Sequence, residues 1–286
     1  MRYVFTDVKP FNLEAMLEGG QAFRWEREGK GYRGVVKGRV ISVSYDKDTL
    51  MVDISEGNNT KEEDIKFIRD YFDLDRDYEK IEEDIKTQFP ELEKVIVMAS
   101  GNRILHQDPW ETLVSFIISA NNSINNIKKV IDRLSQNYGR PIEFKGRLYY
   151  SFPSPEVLSS LSEEEIRCTR CGFRGKYIIN AARMIREGVI NLEEIKGLPT
   201  EEAIKELTKI PGVGVKVASC ILLFSYKKFD SFPVDVWIKR AVEGIYFNGA
   251  SKPVKEIINF AQNKFGNLAG FIQQYLFYYI RNNKMI

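Results

Sequence analysis

The sequence predicts an α+β protein: an N-terminal antiparallel β-sheet domain with helices over residues 1–102, then an all-helical domain over residues 103–286. Three observations lead there. Gly31–Val36, Lys37-Gly38-Arg39 and Val40–Tyr45 read as strand, tight turn and strand, rich in β-branched and aromatic residues. Beyond Gly101-Asn102, apolar residues recur at helical spacing almost without interruption. The charge divides at the same place. Residues 1–100 hold 16 Lys and Arg against 22 Asp and Glu, whereas residues 101–286 hold 26 against 18. An acidic part joined to a basic part suits a polyanionic partner.

Taken in order, the first sixty residues read as strands, with Leu50–Ile54 as a further one. Lys61–Tyr71 and Tyr78–Lys86 change to helical spacing with acidic faces. Asp108-Pro109-Trp110-Glu111 starts a helix: Asp108 caps it, Pro109 takes the first helical position, and Glu111 reaches back to the cap. That helix runs through Leu113, Phe116 and Ile117 to Ser119, and Asn121–Ser135 forms the next after an Asn-rich break. Pro153-Ser154-Pro155 and Gly188–Gly197 interrupt the remainder.

Composition excludes several classes. With 43% hydrophobic and 29% charged residues the chain can bury a core and is not disordered. The longest charge-free stretches, Thr112–Ile127 and Phe265–Ile280, are 16 residues each. A spanning helix needs roughly 20 apolar residues. No signal-peptide core precedes Asp7. Three cysteines build neither a disulfide framework nor a four-cysteine metal site. Cys168-x-x-Cys171 therefore reads as two buried thiols, and His106, the single histidine, as a structural residue beside a helix cap. The expectation is a soluble, reduced, cytoplasmic monomer with no metal and no cofactor.

The most informative stretch is Ile210-Pro211-Gly212-Val213-Gly214-Val215-Lys216. An amphipathic helix, Thr200–Thr208, ends there and a second begins at once. Gly212 and Gly214 permit tight backbone geometry and leave amides uncovered at a helix N-terminus, where the dipole favours a phosphate. Lys216 falls in the first turn of the second helix. The positive end of the dipole and partial burial both favour its neutral amine, a nucleophile towards a sugar carbon. Cys220 follows four residues on, one turn below on the same face. Asp235 comes nineteen residues after Lys216, within Phe232-Pro-Val-Asp-Val-Trp237. It either caps the next helix or supports a cation developing at a deoxyribose C1′.

Pro211-Gly-Val-Gly-Val-Lys216 followed by Pro233-Val-Asp-Val236 resembles the helix-hairpin-helix/Gly-Pro-Asp DNA glycosylases, and among them the 8-oxoguanine DNA glycosylase/AP lyases. Nearly the whole chain takes part. Gly20-Gln-Ala-Phe-Arg-Trp25, Gln107-Asp-Pro109, Ser119-Ala-Asn-Asn122, Gly172-Phe-Arg174 and Ala269-Gly-Phe-Ile-Gln-Gln-Tyr-Leu-Phe277 resemble that family's segments in the same order. The resemblance implies a bifunctional enzyme that excises 8-oxoguanine from duplex DNA and cuts the strand by β-elimination. It implies Lys216 as the Schiff-base nucleophile and Asp235 as the stabiliser of the cationic sugar. The Gly20 carbonyl would accept from the N7 hydrogen, Cys220 and Phe277 would sandwich the extruded base, and Gln273 would read its Watson–Crick edge. Asn121 would fill the gap in the duplex, with Phe173 and Arg174 near the orphaned base. Gly212 and Gly214 would grip the DNA backbone.

Two departures stand out. Eukaryotic members carry an arginine for the opposite cytosine where this chain has Asn126, which implies a relaxed opposite-base preference. They carry a phosphate-contacting histidine where it has Trp237. The endonuclease-III type places four cysteines after the catalytic Asp, and none follows Cys220 here. The alternative from another class is a non-catalytic helix-hairpin-helix DNA-binding protein in which Lys216 is dispensable.

Overall fold

The structure, a computed structural model, describes residues 1–283. Its five-stranded antiparallel sheet comprises β1 (Arg2–Phe5), β2 (Trp25–Glu28), β3 (Gly31–Val36), β4 (Arg39–Asp46) and β5 (Thr49–Ile54), in the spatial order β1-β5-β4-β3-β2. Two hairpins fix the register. Val36 faces Arg39 across Lys37-Gly38, and Asp46 faces Thr49 across Lys47-Asp48. All four turn residues have positive φ (47° and 76°, 47° and 59°). Two-residue turns of this kind match the twist of the strands they join.

Not all of the first sixty residues are extended. Leu13–Glu18 is a helix, capped by Asn12, whose side chain accepts from the Ala15 amide. The sheet packs one face on the helix Lys61–Tyr71, so Trp25, Ile41, Leu50, Val52 and Ile54 bury against Ile68, Tyr71 and Phe72. Tyr78–Gln88 and Glu93–Ala99 precede residue 102, yet their buried side chains belong to the core of the helical part.

That part surrounds the buried middle of the helix Ala269–Asn283, where Ile272, Tyr275 and Leu276 are fully covered. Two expectations there need correction. Residues 103–286 are not all helical: β6 (Pro141–Phe144) and β7 (Arg147–Tyr150) form a separate hairpin. Phe144 at its tip packs with Val35 and Val40 of the large sheet, so it clasps the two halves together. The helix expected at Asn121–Ser135 runs instead over Ile124–Tyr138. Ser123 caps it by accepting from the Asn126 amide, and Asn121 takes the left-handed conformation at φ 49°.

Two further corrections concern side chains. Asp108 does cap the helix Pro109–Ser119, but the Glu111 carboxylate pairs with Arg24 at 3.5 Å instead of returning to the cap. Cys168 is exposed, with Tyr138 Oη 3.4 Å from its sulfur, and only Cys171 of that pair is buried. His106 bridges the halves: Nδ1 meets Asp70 at 2.7 Å and Nε2 meets the Ser225 carbonyl at 2.6 Å. Among the described residues no helix is long and apolar enough to cross a membrane.

Candidate active site

The hairpin consists of the helices Thr200–Leu207 and Val215–Tyr226. Gly212 between them has φ 87°, and a Cβ there would stand 2.7 Å from the Tyr177 ring. Only glycine satisfies both conditions. Gly214 occupies the N-cap of the second helix, and no side chain caps it. Amides in its first turn remain for an outside acceptor. Val217 to Tyr226 are all buried, which makes this helix a rigid core element from which Lys216 emerges half-buried.

Lys216 Nζ lies 5.1 Å from the centre of the Phe116 ring. Burial pushes the Cys220 thiol up, Lys216 opposes this through its charge and a hydrogen bond, and the Asp235 carboxylate adds to the rise. Lys216 and Asp235 thus both act electrostatically on the buried Cys220. Asp235 also caps the helix Val236–Tyr246, its Oδ1 accepting from the amides of Trp237 at 3.0 Å and Ile238 at 2.8 Å. The two readings open for this residue are compatible, because the cap occupies one oxygen. Trp237 is 43% exposed, with the Arg240 guanidinium 5.8 Å from its ring.

A second group forms around Gly20. Its φ is 82°, and a Cβ there would approach Phe277 Cε1 to 3.0 Å and Ile124 Cδ1 to 3.4 Å. The next residue anchors it. Gln21 accepts from the Leu105 amide at 2.8 Å and donates to the Arg103 carbonyl at 2.9 Å, while its own carbonyl accepts from Gln107 at 2.7 Å. Phe277 is half-buried. Gln273, one turn earlier, is buried with its Oε1 lacking any hydrogen-bond partner. Buried polar atoms without a partner are rare in native proteins.

The third group lies at the Asn-rich bend. Asn121 is exposed there. Arg174 sits beneath it, 8% exposed, donating from Nε to Ala120 O at 3.0 Å, from Nη2 to Asn121 O at 3.0 Å and from Nη1 to Cys171 O at 3.4 Å. Its fork thus holds the bend on which Asn121 sits. Phe173, 58% exposed, covers that guanidinium at 4.5 Å. Asn126 donates to Asn122 Oδ1 at 2.8 Å. Tyr177 joins this group to the hairpin, since its ring meets Phe173 edge-on at 6.2 Å and lies against Gly212. Sequence reading gave no role to Tyr177 or Phe116. Tyr177 follows Arg174 by three residues on one helix, and that spacing was the available signal.

Among the described residues no group of three His, Cys, Asp or Glu could hold a metal ion. The chain matches two family models: the N-terminal domain of 8-oxoguanine DNA glycosylase over residues 3–113, and the HhH-GPD superfamily of base excision DNA repair proteins over residues 114–266. It is 30% identical over 248 residues to a probable N-glycosylase/DNA lyase of Methanothermobacter thermautotrophicus, covering 79% of this chain and 77% of that one. Among solved structures it is similar to MBOgg1 in complex with a low-affinity DNA ligand, with 46% identity, a TM-score of 0.93 and coverage of 98% of this chain and 96% of that one. It is also similar to the Clostridium acetobutylicum 8-oxoguanine glycosylase/lyase bound to DNA with cytosine opposite 8-oxoguanine. The identity there is 41% and the TM-score 0.90, over 96% of this chain and 93% of that one.

Proposed function

We propose that this chain, which belongs to the HhH-GPD superfamily of base excision DNA repair proteins and carries the N-terminal domain of the 8-oxoguanine DNA glycosylases, excises 8-oxoguanine from duplex DNA and then cuts the strand. Half-buried Lys216 in the first turn of the uncapped hairpin helix, with Asp235 at the N-cap of the helix that follows, carries this reading.

The steps follow from that arrangement. The Lys216 amine forms a bond to C1′ as the C1′–N9 bond breaks, and the base leaves with a proton. Asp235, with one oxygen outside the helix cap, stabilises positive charge developing on the sugar. Ring opening gives an imine between Lys216 and C1′. Loss of a C2′ proton then expels the 3′ phosphate oxygen, and water hydrolyses the imine to free the lysine. The hairpin amides after Gly212 hold a DNA phosphate beside the reaction. Phosphate contacts fix register without reading sequence.

Base selection rests on Gly20, Gln273, Phe277 and Cys220. A carbonyl at Gly20 accepts from the N7 hydrogen of 8-oxoguanine and meets only a lone pair on guanine, a difference of a few kcal/mol. Opposite the lesion, Asn126 is engaged with Asn122 and Arg174 with the bend, so the preference for cytosine is weak. The test is a labelled duplex containing 8-oxoguanine opposite cytosine. Released base and a strand cut without added alkali support the reading, and an intact duplex overturns it.

A further inference from the structure

Gln274 follows Gln273 on the helix Ala269–Asn283 and has no part in the site as read from sequence. It is 2% exposed, and its Nε2 has no hydrogen-bond partner. That nitrogen lies 3.5 Å from where Gly19 would carry a Cβ, beside the turn that presents Gly20. Two adjacent residues of one helix thus hold an unmatched buried donor, Gln274 Nε2, and an unmatched buried acceptor, Gln273 Oε1. Such atoms invite an outside partner of complementary pattern.

Hydrogen bonds tie the backbone at Gln274 to the segment that carries Gly20. The Gln274 carbonyl accepts from Asn102 Nδ2 at 3.4 Å, Asn102 Oδ1 accepts from Gln21 Nε2 at 3.5 Å, and Gln21 adjoins Gly20 in sequence. Phe277, three residues beyond Gln274, touches Gly20. The Gly19-Gly20 turn and the 273–277 face of the helix therefore form one wall.

We propose that Gln274 Nε2 donates a hydrogen bond to O6 of the extruded 8-oxoguanine, a contact that rests on the reading of this pocket as the receptor for that base. Along its edge the base presents N7–H, O6 and N1–H: donor, acceptor, donor. The protein offers two acceptors, the Gly20 carbonyl and Gln273 Oε1, and one donor, Gln274 Nε2, which complement those two donors and one acceptor in kind and number. In 8-oxoadenine the N7–H and C8 carbonyl are retained, but an amino group replaces O6 and N1 carries no hydrogen. A donor then faces the Gln274 donor, and a lone pair faces the Gln273 oxygen. Sites that bury polar groups reject a base that leaves them unmatched. Gln274 is thus a specificity-determining residue for the group at C6.

Gln274→Met keeps the volume and removes the donor. Single-turnover rates are measured for wild type and variant on duplexes carrying 8-oxoguanine, 8-oxoadenine or a preformed abasic site. Excision of 8-oxoguanine should slow roughly 5- to 150-fold. Cleavage of the abasic site should stay within about twofold, because that substrate places no base in the pocket. The ratio of 8-oxoguanine to 8-oxoadenine excision should fall with the first rate. Unchanged 8-oxoguanine excision by the variant overturns this contact alone. An equal loss on the abasic site also overturns it and makes Gln274 a packing residue. Wild type that cuts abasic sites but releases no 8-oxoguanine overturns the functional reading and this contact with it.

Discussion

The ring of Phe277 lies against the backbone of Gly20, so close that a methyl group on residue 20 would stand 3.0 Å from Cε1. The backbone there is left-handed, at φ 82°. Gly20→Ala therefore adds both a steric conflict and backbone strain of about 1–3 kcal/mol. Excision of 8-oxoguanine should fall at least roughly tenfold, whereas cleavage of a preformed abasic site should hardly change. Phe277→Ala should weaken lesion recognition by about 1–3 kcal/mol through lost stacking. Wild-type excision by either variant would remove these residues from the base pocket.

The hairpin offers a test of a different kind. A methyl group on Gly212 would meet the Tyr177 ring at 2.7 Å. Gly212→Ala should lower the affinity for plain and lesion duplexes alike, since the backbone grip reads no sequence. Combining it with Tyr177→Ala should recover part of the loss, a positive coupling between the two sites. Binding titrations of the four proteins measure that coupling. Strictly additive losses would mean that Tyr177 does not shape the hairpin.

Glu111 gives a pH dependence with a definite sign. Burial pushes its carboxyl up to about 7, although Arg24 pulls it down and Asp108 adds to the rise. The folded protein therefore favours the protonated acid. Stability from this group is complete below the ordinary glutamate range and is lost as pH rises towards 7. Glu111→Gln cannot ionise, so between pH 4 and pH 8 it should gain on wild type by on the order of 1–3 kcal/mol. Melting curves of both proteins at the two pH values measure the gain. A constant difference would show that Glu111 titrates as an ordinary carboxyl.

Local chemistry decided what could be read from the sequence. Gly212 and the capping Asp235 were legible because turns and caps leave few residue choices. The β6–β7 hairpin escaped because its four-residue strands begin with Pro141 and Arg147 and owe their place to Phe144 packing on a distant sheet. Arg174 and Gln274 were obscure for a related reason. Arg174 donates to carbonyls far away in sequence, at Ala120 and Asn121, and Gln274 Nε2 lies beside the equally distant Gly19. Gln274 stands among Ile272, Tyr275 and Leu276, where helical periodicity registers only a core face.

The engagement of Arg174 with the bend sharpens the expectation for the opposite base. An arginine free to face cytosine offers a forked pair of donors, and one such contact is worth about 1–3 kcal/mol of discrimination. Neither Asn126 nor Arg174 offers that fork here. Single-turnover excision opposite cytosine should exceed that opposite adenine, guanine or thymine by less than roughly 150-fold. A preference above about a thousandfold would require Arg174 to leave the Ala120 and Asn121 carbonyls when DNA binds.

Lys216, held over Phe116 in the first turn of the second hairpin helix, is the centre of the proposed chemistry. Borohydride reduction of an imine joins enzyme and DNA covalently, so trapping on a duplex containing 8-oxoguanine tests it most directly. Wild type should give a covalent adduct, and Lys216→Gln should give none while still binding the duplex, because hairpin amides and basic surface supply most of the affinity. An adduct at wild-type yield with Lys216→Gln would contradict the assignment and place the reacting amine on another lysine.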